Sequence, residues 1–168
     1  KKLADRLPGA VSVLRIDPAA GKLEYLHFSP RGAEIFGVTD AELRVDPNAI
    51  TRRMVPEEQA QFEAQMGAAM QTGAPIHWTG RITHANGEVH WVESHASVEQ
   101  AADGVIFIYL QTLDVTERTG FAIVADLSDA GYVVKERAGR RNRYHLQTDL
   151  PLINECFLAA QTVQQLNL

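Results

Sequence analysis

The sequence predicts an α+β fold: a five-stranded antiparallel sheet with helices on one face, followed by a helix, a β-hairpin and a C-terminal helix. Three observations predict it. Residues 76–118 hold three runs rich in Trp, Ile, Val and Thr, separated by Asn86-Gly87 and by Ala102-Asp103-Gly104, which is the pattern of a meander. Residues 11–17 and 23–28 flank the turn signal Pro18-Ala-Ala-Gly21, a second hairpin. Between the two lie helix start and stop residues and one long amphipathic stretch from Pro56 to Gly73.

Each element has its own reason. Residues 1–7 read as a short lead-in helix, broken by Pro8-Gly9. Ser29 is a good N-cap with Pro30 at the first helical position, and that helix runs through Ile35-Phe36 to Gly37. Thr39 caps a short helix around residues 41–43, and Pro47 opens a further turn. Pro56 followed by Glu57-Glu58 starts the long helix, where the two carboxylates complement the helix dipole. Its apolar positions Phe62, Met66, Ala69 and Met70 fall on one stripe.

A two-residue loop at Asn86-Gly87 sets Ala85 opposite Glu88 and so fixes the strand register. Trp78, Ile82, Val89, Trp91 and His95 then share one face, and Thr79, Arg81, Thr83, Val92, Ser94, Ala96 and Val98 the other. By hydrophobicity alone the first face is the core. The second is small and mixed, which suits a cavity wall.

Composition narrows the function classes. The 168 residues are 45% hydrophobic, enough for a core in one large domain or an ordinary domain with a smaller piece. No apolar run approaches the length of a membrane span. Lys1-Lys2 leads straight into polar residues rather than a secretory leader, and the single Cys156 excludes an internal disulfide and a thiolate metal cluster, so a cytoplasmic setting is expected. Residues 1–118 carry 11 Lys and Arg against 16 Asp and Glu, while residues 119–168 carry 5 of each, with all five cations between Lys135 and Arg143. The first part does not read as a nucleic-acid binder; the second has one basic cluster.

The order of elements, the Phe28-Ser29-Pro30 to Glu34-Ile35-Phe36-Gly37 stretch, the hairpin from Trp78 through Asn86-Gly87 to Trp91-Val92, and the closing Asp114-Val115-Thr116-Glu117-Arg118 together resemble a PAS domain over about residues 5–118. Members of that family are sensor modules that hold a small ligand or cofactor between sheet and helices, or work empty as dimers. The resemblance implies that Val92, Ser94, Ala96, Ile108, Leu110 and Thr112 face a cavity, with Phe36 and Met54 as further pocket candidates. It places Trp78, Ile82 and Trp91 on the outer face, covered by a helix or a second copy of the chain in a homodimer, which reverses the assignment from hydrophobicity alone. His27, at the end of the second strand, is the one histidine near the helical side, either a ligand contact or a satisfied structural group.

The cofactor chemistry of the family narrows further. Covalent flavin members need a reactive cysteine on the short helices, and no cysteine precedes Cys156. Haem members use a histidine on the long helix, and residues 56–73 have none. No metal site is expected: with His84 and His95 on one face and His77 and His90 on the other, the imidazoles lie too far apart along the strands to converge on zinc. His90 and Glu93 fall on opposite faces. Gly-x-Ser-x-Gly, phosphate-loop and dinucleotide motifs are missing, so enzymatic activity is not expected.

Beyond Arg118 the character changes, which gives two domains, residues 1–118 and 119–168. Residues 116–130 read as a helix with Ile123, Val124, Leu127 and Ala130 on one side and Gly131 as its stop. Residues 132–137 and 143–147 are strands around Ala-Gly-Arg-Arg-Asn. This stretch resembles the recognition helix and wing of winged-helix transcription regulators. The resemblance implies phosphate contacts from Lys135, Arg137, Arg140, Arg141 and Arg143 and groove contacts from Arg118 and Thr119, hence a DNA-binding regulator fused to a sensor. It departs from that family in lacking two helices before the recognition helix. The plain alternative is a basic, solvated hairpin appended to the sensor. Residues 153–168 read as a last helix with Ile153, Phe157, Ala160 and Val163 in line.

Overall fold

The computed structural model of the protein describes residues 9–138 and 141–146. The lead-in helix, Gly139, Arg140, Cys156 and the helix over residues 153–168 lie outside the described residues. The chain divides into two compact units, Lys1–Val115 and Thr116–Leu168, and each is described by itself.

The first unit contains the expected five-stranded antiparallel sheet. Its strands are β1 (Ala10–Asp17), β2 (Lys22–Phe28), β3 (Ile76–Thr83), β4 (Val89–Gln100) and β5 (Ile106–Asp114), in the order β2-β1-β5-β4-β3. Two short helices, α1 (Pro30–Phe36) and α2 (Asp40–Val45), a single 3-10 turn (Thr51–Arg53) and the long helix α3 (Pro56–Thr72) follow β2. Burial alternates along β1, β3, β4 and β5. Ala10, Ser12 and Leu14, then Ile76, Trp78, Gly80 and Ile82, then Val92, Ser94 and Ala96, then Ile106, Ile108 and Thr112 are buried, with less buried residues between them. Ile35, Phe36, Val38, Leu43, Ile50, Met54 and Ala69 from the helical segments close the core over that inner face. Phe62, Met66 and Met70 of the expected stripe pack against it.

Local chemistry explains the connections. The Thr39 hydroxyl accepts from the Glu42 amide at 3.2 Å while the Glu42 carboxylate accepts from the Thr39 amide at 2.7 Å, a capping box that starts α2. Ser29 precedes α1 but does not cap it with its side chain; its hydroxyl accepts from the Val11 amide at 3.0 Å, locking the end of β2 onto β1. Glu58 has a larger role than complementing the α3 dipole. Its carboxylate accepts from both the backbone amide and Nε of Arg81, the latter at 2.7 Å, which ties the start of α3 to the edge strand β3.

The β3–β4 register corrects the sequence expectation by one residue. His84, not Ala85, faces Glu88: the His84 amide donates to the Glu88 carbonyl at 2.8 Å and the Gly87 amide to the His84 carbonyl at 2.9 Å. The loop therefore has three residues, Ala85-Asn86-Gly87, with Gly87 at φ 87° where a side chain would be strained. The β4–β5 loop Ala102-Asp103-Gly104 has the same design, with Ala101 paired to Val105 and Gly104 at φ 85°. A one-residue slip turns one strand over relative to its neighbour. Trp78 thus faces Ser94 and Ile82 faces His90 on the helix side, while Arg81 faces Trp91 on the other side. Trp78 is 4% exposed and Ile82 fully buried, so neither belongs to an outer interface; of the three expected there, Trp91 alone lies on the outer face, with the Arg81 guanidinium 5.4 Å from its ring.

The second unit contains α4 (Thr116–Asp129) and a hairpin of β6 (Val133–Ala138) and β7 (Arg141–Leu146). Gly120, Val124 and Leu127 are the buried residues of α4. The hairpin is tighter than expected, since Ala138 pairs with Arg141 and Arg137 with Asn142, which puts Arg141 in a strand rather than in the turn. No helix among the described residues is long and apolar enough to cross a membrane.

Candidate functional site

Between the inner face of the sheet and the helices lies a cavity of about 350 Å³. That is the lower end of the range for small-molecule sites. The sheet contributes Ser12, Leu14 and Ile16 from β1, Leu23 and Tyr25 from β2, Trp78, Ser94, and Ile108, Leu110 and Thr112 from β5. The helical side contributes Phe36, Met54, Phe62, Met66 and Met70. Asn48 and Glu63 are lining residues that are exposed, and they mark the opening. The wall is mostly apolar and sulfur-rich, so a shape-tolerant, weakly polar occupant suits it.

The polar groups of the wall are few and placed. Ser94 and Thr112 are cross-strand partners, 5% and 1% exposed, and their hydroxyls are 2.8 Å apart. One hydroxyl donates to the other, which leaves the pair with a single remaining donor. The Trp78 indole packs edge-on against Phe62, with ring centroids 5.3 Å apart at 65°. It lies flat across Gly80, where an added Cβ would come within 2.1 Å of Trp78 Cζ2. Trp78 Nε1 is buried and has no hydrogen-bond acceptor among the described residues. A buried indole N–H without an acceptor costs about 1–3 kcal/mol, so the position calls for an acceptor supplied from elsewhere.

Tyr25 lines the cavity but was not singled out from the sequence. The β1–β2 register shifts between Val13 and Leu14, leaving Leu26 as an extra residue, half exposed. The bulge lets both Tyr25 and Phe28 pair with inner-face residues, Leu14 and Ser12, and places His27 opposite Val13 on the other side. His27 therefore does not line the cavity, which corrects its expected position near the helical side. Burial pushes the Tyr25 phenol up to about 12. A raised phenol keeps its full stabilising effect below the unfolded value near 10 and loses it as pH rises through about 12. Wild type should therefore lose stability between roughly pH 10 and 12, and Tyr25→Phe should remove that part of the decline, as followed by urea midpoints against pH.

Of the other pocket candidates, Phe36, Met54, Ser94, Ile108, Leu110 and Thr112 line the cavity. Val92 and Ala96 do not; they are buried in the core opposite Gly80 and Ile76. The histidines contradict the expectation that they cannot converge. With the corrected register, His77 stacks on His95 at 4.3 Å and His84 on His90 at 4.1 Å.

The residues singled out for DNA are differently placed. Arg118 and Thr119 sit in the first turn of α4, Lys135 and Arg137 are exposed on β6, and Arg141 and Arg143 lie on β7. Glu136 pairs with Arg143 and accepts from His145 at 2.9 Å, which interleaves acidic charge with the basic cluster.

Comparison with known proteins bears on the first unit. The family model for the PAS fold matches residues 25–113. No curated protein matches the chain. Three similar solved structures are a domain ascribed to a light and redox sensing histidine kinase of Haloarcula marismortui, the PAS domain of a Colwellia psychrerythraea protein, and a sensory box histidine kinase/response regulator of Burkholderia thailandensis. They are 18%, 15% and 21% identical, with TM-scores of 0.55, 0.55 and 0.54. The matches cover 68%, 70% and 72% of this chain and 95%, 94% and 88% of those chains, respectively. These likenesses concern the fold. The winged-helix resemblance gains no support from them. With its sheet order, its inner-face cavity and a family match over more than half its length, the chain belongs to the PAS fold family.

Proposed function

We propose that the chain is a signal-sensing module that holds a small, mostly apolar ligand without a covalent bond and passes its binding state to an output domain, with no catalytic step of its own. A second copy of the chain is its proposed partner. The observation that carries the reading is the buried Trp78 N–H, which lacks an acceptor in the wall of an apolar cavity of about 350 Å³. A planar ligand with one carbonyl or ring-nitrogen acceptor suits a wall that holds Phe62, Trp78 and the Ser94–Thr112 hydroxyls. Covalent flavin chemistry is not proposed, since no cysteine precedes Cys156, nor is haem held by α3, which has no histidine.

Coumarin, a bicyclic carbonyl compound, serves as a probe. Its addition should raise the thermal midpoint and quench tryptophan emission. Trp78→Phe should weaken binding by about 2- to 12-fold, the worth of one hydrogen bond of roughly 0.5–1.5 kcal/mol. Met66→Trp should block it. Solvent extracts of fresh protein should contain a small molecule that Met66→Trp protein lacks. Empty extracts, together with no response to the probe, would leave the module as one that works unliganded.

A further inference from the structure

The strongest unassigned cluster lies away from the cavity, where the β3–β4 hairpin meets the end of α1. We propose that His84, Glu88 and His90 form a binding site for a borderline divalent cation, zinc being the best fit. The three residues each present a ligand atom within 4.8 Å of the others. Two imidazoles and a carboxylate suit zinc, nickel or copper and not calcium or magnesium, which take oxygen ligands. An ion held at about 2.1 Å needs those atoms roughly 3.4 Å apart, which rotation of Glu88, an exposed side chain beside the loop, together with a tilt of the rings would bring about.

The argument for a site rather than a chance cluster is how the rings are held. His84 Nε2 is 2.9 Å from the Ile35 carbonyl, which can only accept, so that nitrogen carries the proton and Nδ1 keeps its lone pair. His90 Nδ1 is 2.9 Å from an Asp114 carboxylate oxygen, so it too is the protonated nitrogen and Nε2 is left as the base. Metal-binding histidines usually have their second nitrogen secured in this way, by a carbonyl or a carboxylate. His90 Nε2 then faces a Glu88 oxygen at 3.5 Å. Between the Asp114 and Glu88 carboxylates, His90 Nε2 takes either a second proton or a metal ion, so zinc binds there in competition with a proton. The Asn86 side chain first, then His90, lowers the Glu88 pKa below the usual carboxylate value. The His84 ring lies between His90, on which it stacks, and Gly37, where a Cβ would come within 2.8 Å of it; rings at 12° direct their lone pairs side by side, so taking up an ion also requires the His90 ring to tilt out of the stack.

The other histidine cluster has the same residue types but a poorer build. His77 and His95 are more than half exposed and direct Nε2 at the same Glu93 oxygen, at 2.9 and 3.6 Å. It serves as the internal control. A metal at the first cluster would tie together three segments, because Ile35 is in the last turn of α1, Asp114 ends β5 and the ligands come from the β3–β4 hairpin.

The test is calorimetric titration of tag-free Cys156→Ser protein with zinc chloride. One equivalent should bind, calcium and magnesium should not, and the thermal midpoint should rise with zinc. Glu88→Gln and His90→Gln should each abolish the heat, with circular dichroism confirming that both fold. Asp114→Asn, which removes a positioning group, should weaken binding by about 10- to 100-fold. His77→Gln/His95→Gln should leave the heat unchanged. Absence of zinc binding at micromolar concentrations, or binding lost only in the His77/His95 variant, would overturn the proposal. Neither outcome bears on ligand binding in the cavity, which the coumarin titration reads separately.

Discussion

Gly80→Ala is expected to lower the thermal midpoint by about 10 °C, on the basis of roughly 1–3 kcal/mol for overpacking and about 4 °C or more per kcal/mol in a domain of this size. The sign is informative. Glycine inside a strand ordinarily costs stability relative to alanine, so the same change elsewhere in a sheet stabilises. Here the added methyl would stand 2.1 Å from Trp78 Cζ2 and 2.6 Å from Cη2, and the indole, backed by Phe62, must leave its place. The Gly80→Ala/Trp78→Leu pair should recover part of the loss that the single changes predict by addition, a coupling that denaturant titration of the four proteins measures. A Gly80→Ala protein as stable as wild type would show that the indole does not lie across that strand.

Ile82→Ala should cost about 2–5 kcal/mol, the range for removing a fully buried isoleucine, without any change in oligomeric state. Ile82 has no exposed surface and forms a bridge with Met54, so it closes the core at the hairpin end of the sheet. Thr83→Ala, at the exposed neighbouring position, should stay within about 0.5 kcal/mol. Urea midpoints paired with light scattering decide the matter. An Ile82→Ala protein that keeps its stability but changes its association would return this residue to an interface.

These two residues also show where sequence reasoning succeeded and where it stopped. The strands, the helix boundaries and the helix-covered sheet were legible because Pro30, Gly37, Thr39, Pro56 and Gly73 punctuate the chain and apolar residues alternate between them. The register was not. Asn86-Gly87 serves equally in a two-residue loop and in a three-residue loop that puts only the glycine at positive φ, and the choice decides which face of β4 meets which face of β3. Reading the first alternative joined Trp78 and Ile82 to Trp91, and it also hid both histidine stacks. Gly80 was the available signal, since a glycine in the middle of a strand marks a close approach. His27 failed for a related reason: strict alternation carries Leu23 and Tyr25 inward with it, and nothing in the residue types of β2 announces the bulge at Leu26. The lining residues on α3 were found as a stripe, but periodicity alone does not separate a residue that fills a core from one that walls a cavity.

The grip of Glu58 on Arg81 has a consequence for how copies of this chain can meet. β3 and β2 are the two borders of the sheet, and an uncovered border invites a strand from another molecule. On β3 the Arg81 amide is already taken by Glu58 and Ile82 is bridged to Met54. On β2 the extra residue at Leu26 breaks the ladder's spacing. At the hairpin end of β3 and at the bulge of β2, then, the border does not offer an even row of free donors and acceptors, and strand addition from another copy is discouraged at those places.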